Sequence, residues 1–284
     1  MSAPLPPGRH DWIGYLQPVG LVVAPAALSR IGLWPSPQGA ADSLAVATAL
    51  AGFADDAWPF FCDVLGWSAT RVAGAPGGPA LPDTLRLTLR EQETLLEPHW
   101  AVTGADGTPQ LLVRIEAHDL VLDRRGTLDG WEATAQQRFE RLLRETGVLA
   151  GVIVGARETG RNDGAAIEPV LRLVVAPRGE VSGHMTWPLA ALAEVGGRGM
   201  LAGLKLLLDA HALFTGPPSH RLPAVLAESR AAQADVSTRL AGQVLASLHE
   251  LLRGWTRPMA RASARWPRRV RSTCTKGCSP SCCG

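Results

Sequence analysis

Lysine is almost absent from this sequence: Lys205 and Lys276 stand against 26 arginines, and with abundant Ala and Gly this reads as the imprint of a GC-rich gene rather than a function. The first residues, 1–9, are Pro-rich and lack a basic segment followed by an apolar run, which argues against a secretory signal. No apolar stretch reaches bilayer length: prolines interrupt residues 16–28, and Lys205 and Asp209 sit inside residues 200–214. A cytoplasmic protein without a membrane partner is the expectation. No internal repeat is visible.

Acid is missing from residues 255–284, which hold Arg257, Arg261, Arg265, Arg268, Arg269, Arg271 and Lys276. The rest of the chain, with 21 basic and 26 acidic residues, is mildly acidic although the whole carries a net +2. Cys62 is the single cysteine before this tail, whereas Cys274, Cys278, Cys282 and Cys283 all lie within it. Three readings of the tail compete. Four thiolates could bind zinc, but the spacing and the adjacent Cys282 and Cys283 fit poorly with knuckles held apart by a folded insert. The arginines suit a basic arm for nucleic acid. The favoured reading is a shifted reading frame beginning near residues 254–257. Read one base earlier, the Cys codons and most Ser codons encode only Leu, Val, Met, Ile or Phe, and residues 272–283 become a credible amphipathic helix.

Before the tail, the pattern predicts an α+β body. A short strand or buried turn is expected at Gly20-Leu21-Val22-Val23, and a helix over 40–65. A half-buried strand is expected over 84–89, where Leu85, Leu87 and Leu89 alternate with polar residues. Residues 95–103 and 110–117 flank Gly104-Ala105-Asp106-Gly107 and read as a hairpin. A helix over 133–146 stops at Gly147. Apolar strands follow at 148–154 and 170–175, with a loop at 160–164 between them. The finish is helical, over 188–214 with a break at 196–199, and over 222–253. The expected segments are 1–82, mixed and helical; 83–187, a mixed sheet; 188–254, helical; and 255–284, the tail.

Chemistry-bearing motifs are few. Gly196-Gly197-Arg198-Gly199 follows helical sequence, not the strand that a cofactor-binding turn requires. Gly216-Pro217-Pro218-Ser219 has Gly and Ser where an amino-methyltransferase needs an amide or acid and an aromatic. In Gly179-Glu180-Val181-Ser182-Gly183-His184 the position two before the serine is Glu180, not the Gly of a nucleophile elbow, so a tight turn after the strand ending at Val175 is the plainer reading. Residues 95–175 have the layout of a metal-dependent nuclease: an acid-bearing strand, a strand ending in Glu-x-Lys, then a helix. Here Glu116 is present, but His118 replaces the lysine and His99 stands where an aspartate is expected. One carboxylate and two imidazoles suit Mg²⁺ poorly, and zinc held by His99, Glu116 and His118 is the alternative. Glu116, His118 and His99 are therefore vestigial candidates on a nuclease-like scaffold, with no catalytic residue expected.

Three segments carry a family resemblance. They are residues 10–23, opening His10-Asp11-Trp12-Ile13-Gly14-Tyr15-Leu16-Gln17-Pro18; residues 137–146, opening Gln137-Arg138-Phe139-Glu140-Arg141-Leu142-Leu143; and residues 171–183, opening Leu171-Arg172-Leu173-Val174-Val175-Ala176-Pro177-Arg178. Together they resemble the N-terminal region of large type IIG-like restriction–modification DNA methyltransferases, related to those of the BREX and DISARM phage-defence systems. The resemblance covers residues 10–254 and implies a degenerate PD-(D/E)XK nuclease-like core of mixed sheet and flanking helices, then a helical segment. It implies DNA as partner through the full-length protein, defence-system subunits beside it, and S-adenosylmethionine as the full-length cofactor, with none bound by this chain. Gly155-Ala156-Arg157, with an insertion through Pro169, departs from the Asn-Gly expected there. Arg172 and Arg178 are the DNA-facing candidates. The rival readings are a standalone nucleic-acid-binding module gripping through its basic tail, and an active metal-dependent nuclease.

Overall fold

The structure, a computed structural model, describes residues 10–89, 94–104, 106–128, 131–160 and 166–256. The expected loop at 160–164 falls largely outside these residues, as do Ala105 of the expected hairpin turn and the tail from residue 257. The chain divides into two units, Met1–Val236 and Ser237–Gly284.

In the first unit three helices come first: α1 (Asp11–Leu16), α2 (Pro25–Ile31) and α3 (Ala40–Leu50). The predicted helix over 40–65 is interrupted after α3 by turns over 51–55, and a π-helical turn, Phe60–Val64, resumes beyond Pro59. Proline lacks an N–H for a preceding turn and ends or restarts a helix where it stands. The strands are β1 (Val72–Ala73), β2 (Leu87–Leu89), β3 (Thr94–Leu96), β4 (Trp100–Thr103), β5 (Pro109–Ile115), β6 (Arg125–Leu128) and β7 (Trp131–Thr134). Helix α4 (Ala135–Thr146) leads into β8 (Ala150–Thr159), β9 (Ala166–Val175) and β10 (Gly183–Pro188). Helices α5 (Leu189–Leu192), α6 (Arg198–Leu208) and α7 (Leu222–Thr256) close the described chain, with the break between α5 and α6 at the predicted glycines.

Six strands form one mixed sheet in the order β1-β4-β5-β8-β9-β10. All its pairs are antiparallel except β5 with β8, which are parallel. Helix α4 lies in the connection between those two strands, because a parallel pair needs a crossover that a tight turn cannot supply. The predicted strand over 95–103 is two: β3 pairs with β2 in a separate ribbon, while β4 joins the main sheet. Pro98 lies between them and cannot donate to a ladder.

Alternation along the strands gives the sheet two different faces. On one, Val113, Val152, Leu171, Leu173, Met185 and Trp187 are buried against α1, α6 and the start of α7. On the other, Leu112, Ile153, Val170 and Val174 meet Phe139, Leu142 and Leu143 of α4. Each of those three α4 side chains contributes about 2 kcal/mol by leaving water. One core thus joins residues from both sides of the expected boundaries at 82 and 187, running from Trp12 to Leu226. Among the described residues no helix is long and apolar enough to cross a membrane.

Helix α4 begins with a reciprocal cap. The Thr134 hydroxyl accepts from Gln137 N at 3.0 Å, and Gln137 Oε1 accepts from Thr134 N at 2.9 Å. Gly147, in the left-handed conformation with φ 76°, ends it as the sequence predicts. Replacing Thr134 by Ala is expected to cost about 1 kcal/mol of stability, measured by urea denaturation, with the fold retained.

Candidate functional site

Period-two alternation places the polar side chains of β9 and β10 together on the α4 face. Arg172 lies opposite Thr186 across the β9–β10 pair and opposite Ile153 across the β8–β9 pair; His184 is two residues before Thr186 on the same face. Arg172 is only 3 % exposed. A buried guanidinium needs acceptors, and four of the five N–H groups here have them. Its Nη atoms donate to Asp123 Oδ1 and Oδ2 at 2.7 and 2.9 Å, its Nε donates to Thr186 Oγ1 at 2.9 Å, and one Nη also donates to Gln136 Oε1.

Two local features deliver these partners. Beyond Ile115 the place beside β8 is taken by residues 120–122: Leu122 N donates to Ala156 O at 2.9 Å and Ala156 N to Leu120 O at 2.8 Å. A β-carbon on Gly155 would come within 2.5 Å of Leu122 Cδ2, so the missing side chain makes room for that approach and sets Asp123 over Arg172. The capped first turn of α4 supplies Gln136, which also hydrogen-bonds Glu140 one turn on at 2.9 Å.

The Gln136 amide fixes a tautomer. Its oxygen accepts from Arg172, so its nitrogen is the atom 3.0 Å from His184 Nδ1. An amide NH₂ only donates, so Nδ1 is the acceptor and the proton of a neutral His184 resides on Nε2. Burial lowers the His184 pKa, and the nearby positive charge of Arg172 lowers it further. Asp123 is held below the ordinary carboxylate range, first by the hydrogen bond from Arg172. It is ionised at neutral pH and 58 % exposed on its outer side.

A cleft of about 480 Å³ opens over this network, lined among others by Tyr15, Gln17, Asp123, Arg172, His184 and Thr186. The segment after α1 reaches it by pairing with β10: Val19 N donates to His184 O at 2.9 Å and His184 N to Val19 O at 2.8 Å. Gly183 permits the approach, since a β-carbon there would lie 2.4 Å from Leu21 O. Gln17, on the cleft wall, has φ 45° and is the only residue other than glycine with positive φ among those described. Such strain is held only where neighbours impose it, and it concentrates at functional sites.

The sequence-predicted candidates fall elsewhere or in other roles. Arg172, expected to face DNA, is inside this network instead of on an open surface. Arg178 caps α4: it donates to the carbonyls of Arg144 and Glu145 at 2.5 and 2.8 Å. Glu116 is paired with Arg114 at 2.9 Å. His99 Nδ1 accepts from Ile115 N at 3.1 Å, and burial followed by the Arg114 charge lowers its pKa. Glu116 and His118 border one largely apolar cavity of about 500 Å³ with Leu50, Phe53 and Leu189, and His99 does not line it. Among the described residues no three His, Cys, Asp or Glu side chains are grouped to hold a metal ion.

Sequence reasoning missed Asp123, Gln136, His184 and Thr186. The last two had a signal: His184-Met185-Thr186-Trp187 alternates polar and apolar residues as a half-buried strand does, directly after the expected tight turn, which lies at residues 178–180. Comparison with family models, with curated proteins and with solved structures finds no match for this chain.

The Arg172–Asp123 pair makes two predictions. Asp123→Ala leaves an uncompensated buried charge and is expected to cost about 3 kcal/mol, whereas Arg172→Met, which leaves a half-exposed carboxylate in water, costs less; urea denaturation of both variants checks the order. Because the Asp123 pKa is lowered on folding, its contribution is present above the ordinary value of 3.8 and fades as pH falls below it. The stability gap between the wild type and Asp123→Asn should therefore be full at pH 7 and shrink toward pH 3.

Proposed function

We propose that this chain is the front portion of a large S-adenosylmethionine-dependent DNA methyltransferase of a restriction–modification or phage-defence system, a nuclease-like scaffold without catalysis of its own. The observation that carries the reading is the succession β4, β5, α4, β8. An antiparallel hairpin is followed by a helix and a strand parallel to the second hairpin strand, with Glu116 directly after β5. With the β6–β7 ribbon taken as an insertion before α4, this order supports reading the segment as a PD-(D/E)XK-like core. The resemblance of residues 10–23, 137–146 and 171–183 supplies the family.

A metal-dependent nuclease would need two hard oxygen ligands and a lysine at this place. The residues present do not fit Mg²⁺. Glu116 is engaged by Arg114, His99 spends Nδ1 on a backbone N–H, and His118 stands in the lysine position. Scaffold rather than nuclease is the role these contacts favour. Methyl transfer, and with it S-adenosylmethionine, belongs in this reading to sequence downstream of the reading-frame shift. DNA and defence-system subunits are the partners of the full-length protein.

Incubation of the chain with plasmid DNA and Mg²⁺ or Mn²⁺ is expected to give no cleavage; robust cutting lost in Glu116→Gln would overturn the reading. In the gene, an open −1 frame running for hundreds of codons past residue 254 is expected, and an early stop there refutes the methyltransferase assignment. The rival module with a gripping tail predicts a steep dependence of DNA affinity on salt that disappears when residues 255–284 are deleted. The scaffold reading expects deletion to change nothing.

A further inference from the structure

The cleft over Arg172 is unused by the reading above, yet it has the parts of a recognition site. Its volume of about 480 Å³ lies within the range of small-molecule sites, roughly 300–1,000 Å³. Its charges are already matched. Asp123 sits on Arg172, Glu158 is 2.5 Å from Arg124, and Glu168 engages Arg157, so all three arginines of the cleft wall carry a carboxylate. A bare anion finds no surplus positive charge here. Arg172 in particular has little left to offer, because four of its five N–H bonds are directed at Asp123, Gln136 and Thr186. It is a positioning residue.

What remains facing the cleft is hydrogen-bonding chemistry of fixed polarity beside an aromatic ring. Asp123, oriented by two bonds from below, is an acceptor. His184, whose Nδ1 is occupied by Gln136, presents Nε2–H as a donor. The Thr186 hydroxyl accepts from Arg172 and so has its own hydrogen to give. Tyr15, the only tyrosine of the chain, lines the same cleft and is 71 % exposed. An acceptor, a donor and a ring face complement a planar ligand that pairs an amine with a ring acceptor on one edge. Adenine and cytosine have that edge, and uracil lacks the amine. Stacking on an aromatic side chain is a strong, sequence-tolerant way of holding an unpaired base.

We propose that this cleft binds an unpaired nucleobase bearing an exocyclic amine, its amine on Asp123, its ring acceptor on His184 and its face on Tyr15. The base belongs either to a free nucleotide or to an exposed position in a single strand. The proposal does not depend on the methyltransferase reading, since a nucleotide would fill the cleft of a chain that never meets DNA.

Isothermal titration of the full chain with CMP, AMP, UMP and inorganic phosphate tests it. CMP or AMP is expected to bind at least ten-fold more tightly than UMP, and phosphate not at all. Tyr15→Ala, at an exposed position, should weaken binding about ten-fold, with Tyr15→Phe restoring it. Asp123→Asn should abolish the preference for CMP over UMP. Competition against CMP separates the two sources: a single-stranded cytosine-containing oligonucleotide that displaces it identifies the strand, and one that does not identifies the free nucleotide. Silence toward all four ligands, phosphate binding as tightly as CMP, an unchanged Tyr15→Ala, or a fully paired duplex competing as well as the single strand would each overturn the proposal.

Discussion

A guanidinium taken out of water in the middle of a sheet dictates what must surround it, and Arg172 sets that demand on the α4 face. Its acceptors come from three places distant in sequence: Asp123 from the segment alongside β8, Gln136 from the start of α4, and Thr186 from β10. Each arrives by a backbone device and not by side-chain reach. Residues 120–122 pair with Ala156, a reciprocal cap orients the first turn of α4, and antiparallel register puts Thr186 opposite Arg172. A buried ion pair adds little net stability over an apolar core of the same shape. With four of the Arg172 N–H groups hydrogen-bonded and the Asp123 carboxylate 58 % exposed, this pair presents its polarity to the cleft.

The two sheet faces divide the labour. The face beneath α1 and α6 is apolar, with Trp187, Met185, Leu171 and Leu173 buried there, and it carries the bulk of the apolar burial. The α4 side combines a smaller apolar cluster with the polar network, and Leu16 of the larger core also lines the cleft. Where the two meet, the chain relies on missing side chains. Gly183 lets the segment after α1 lie against β10, and Gly155 lets residues 120–122 lie against β8.

Much of the scaffold was legible because it rests on periodicity. The α4 stripe of Phe139, Leu142 and Leu143 with Gly147 behind it, the apolar strands around Val152 and Val174, and the glycine break before α6 all stand where the pattern put them. The site was not legible, for a physical reason. Arg172 in an apolar strand reads as a surface charge unless its acceptors are known, and those lie 49, 36 and 14 residues away. Asp123 and Gln136 carry no local signature, since one follows an irregular segment and the other sits beside a cap. Arg178, also read as a surface cation, closes a helix end through carbonyls that no sequence pattern announces.

The three segments singled out in the sequence, residues 10–23, 137–146 and 171–183, converge on one place. Residues 10–23 supply Tyr15 and Gln17, residues 137–146 supply Glu140 to the Gln136 bridge, and residues 171–183 supply Arg172 and end one residue before His184. The positions weighed for a metal, by contrast, lie in none of them: Glu116 is paired with Arg114, and His99 Nδ1 accepts from a backbone N–H. The cleft over Arg172, and not the stretch around Glu116, is thus where polar groups from segments distant in sequence are brought together around one buried charge.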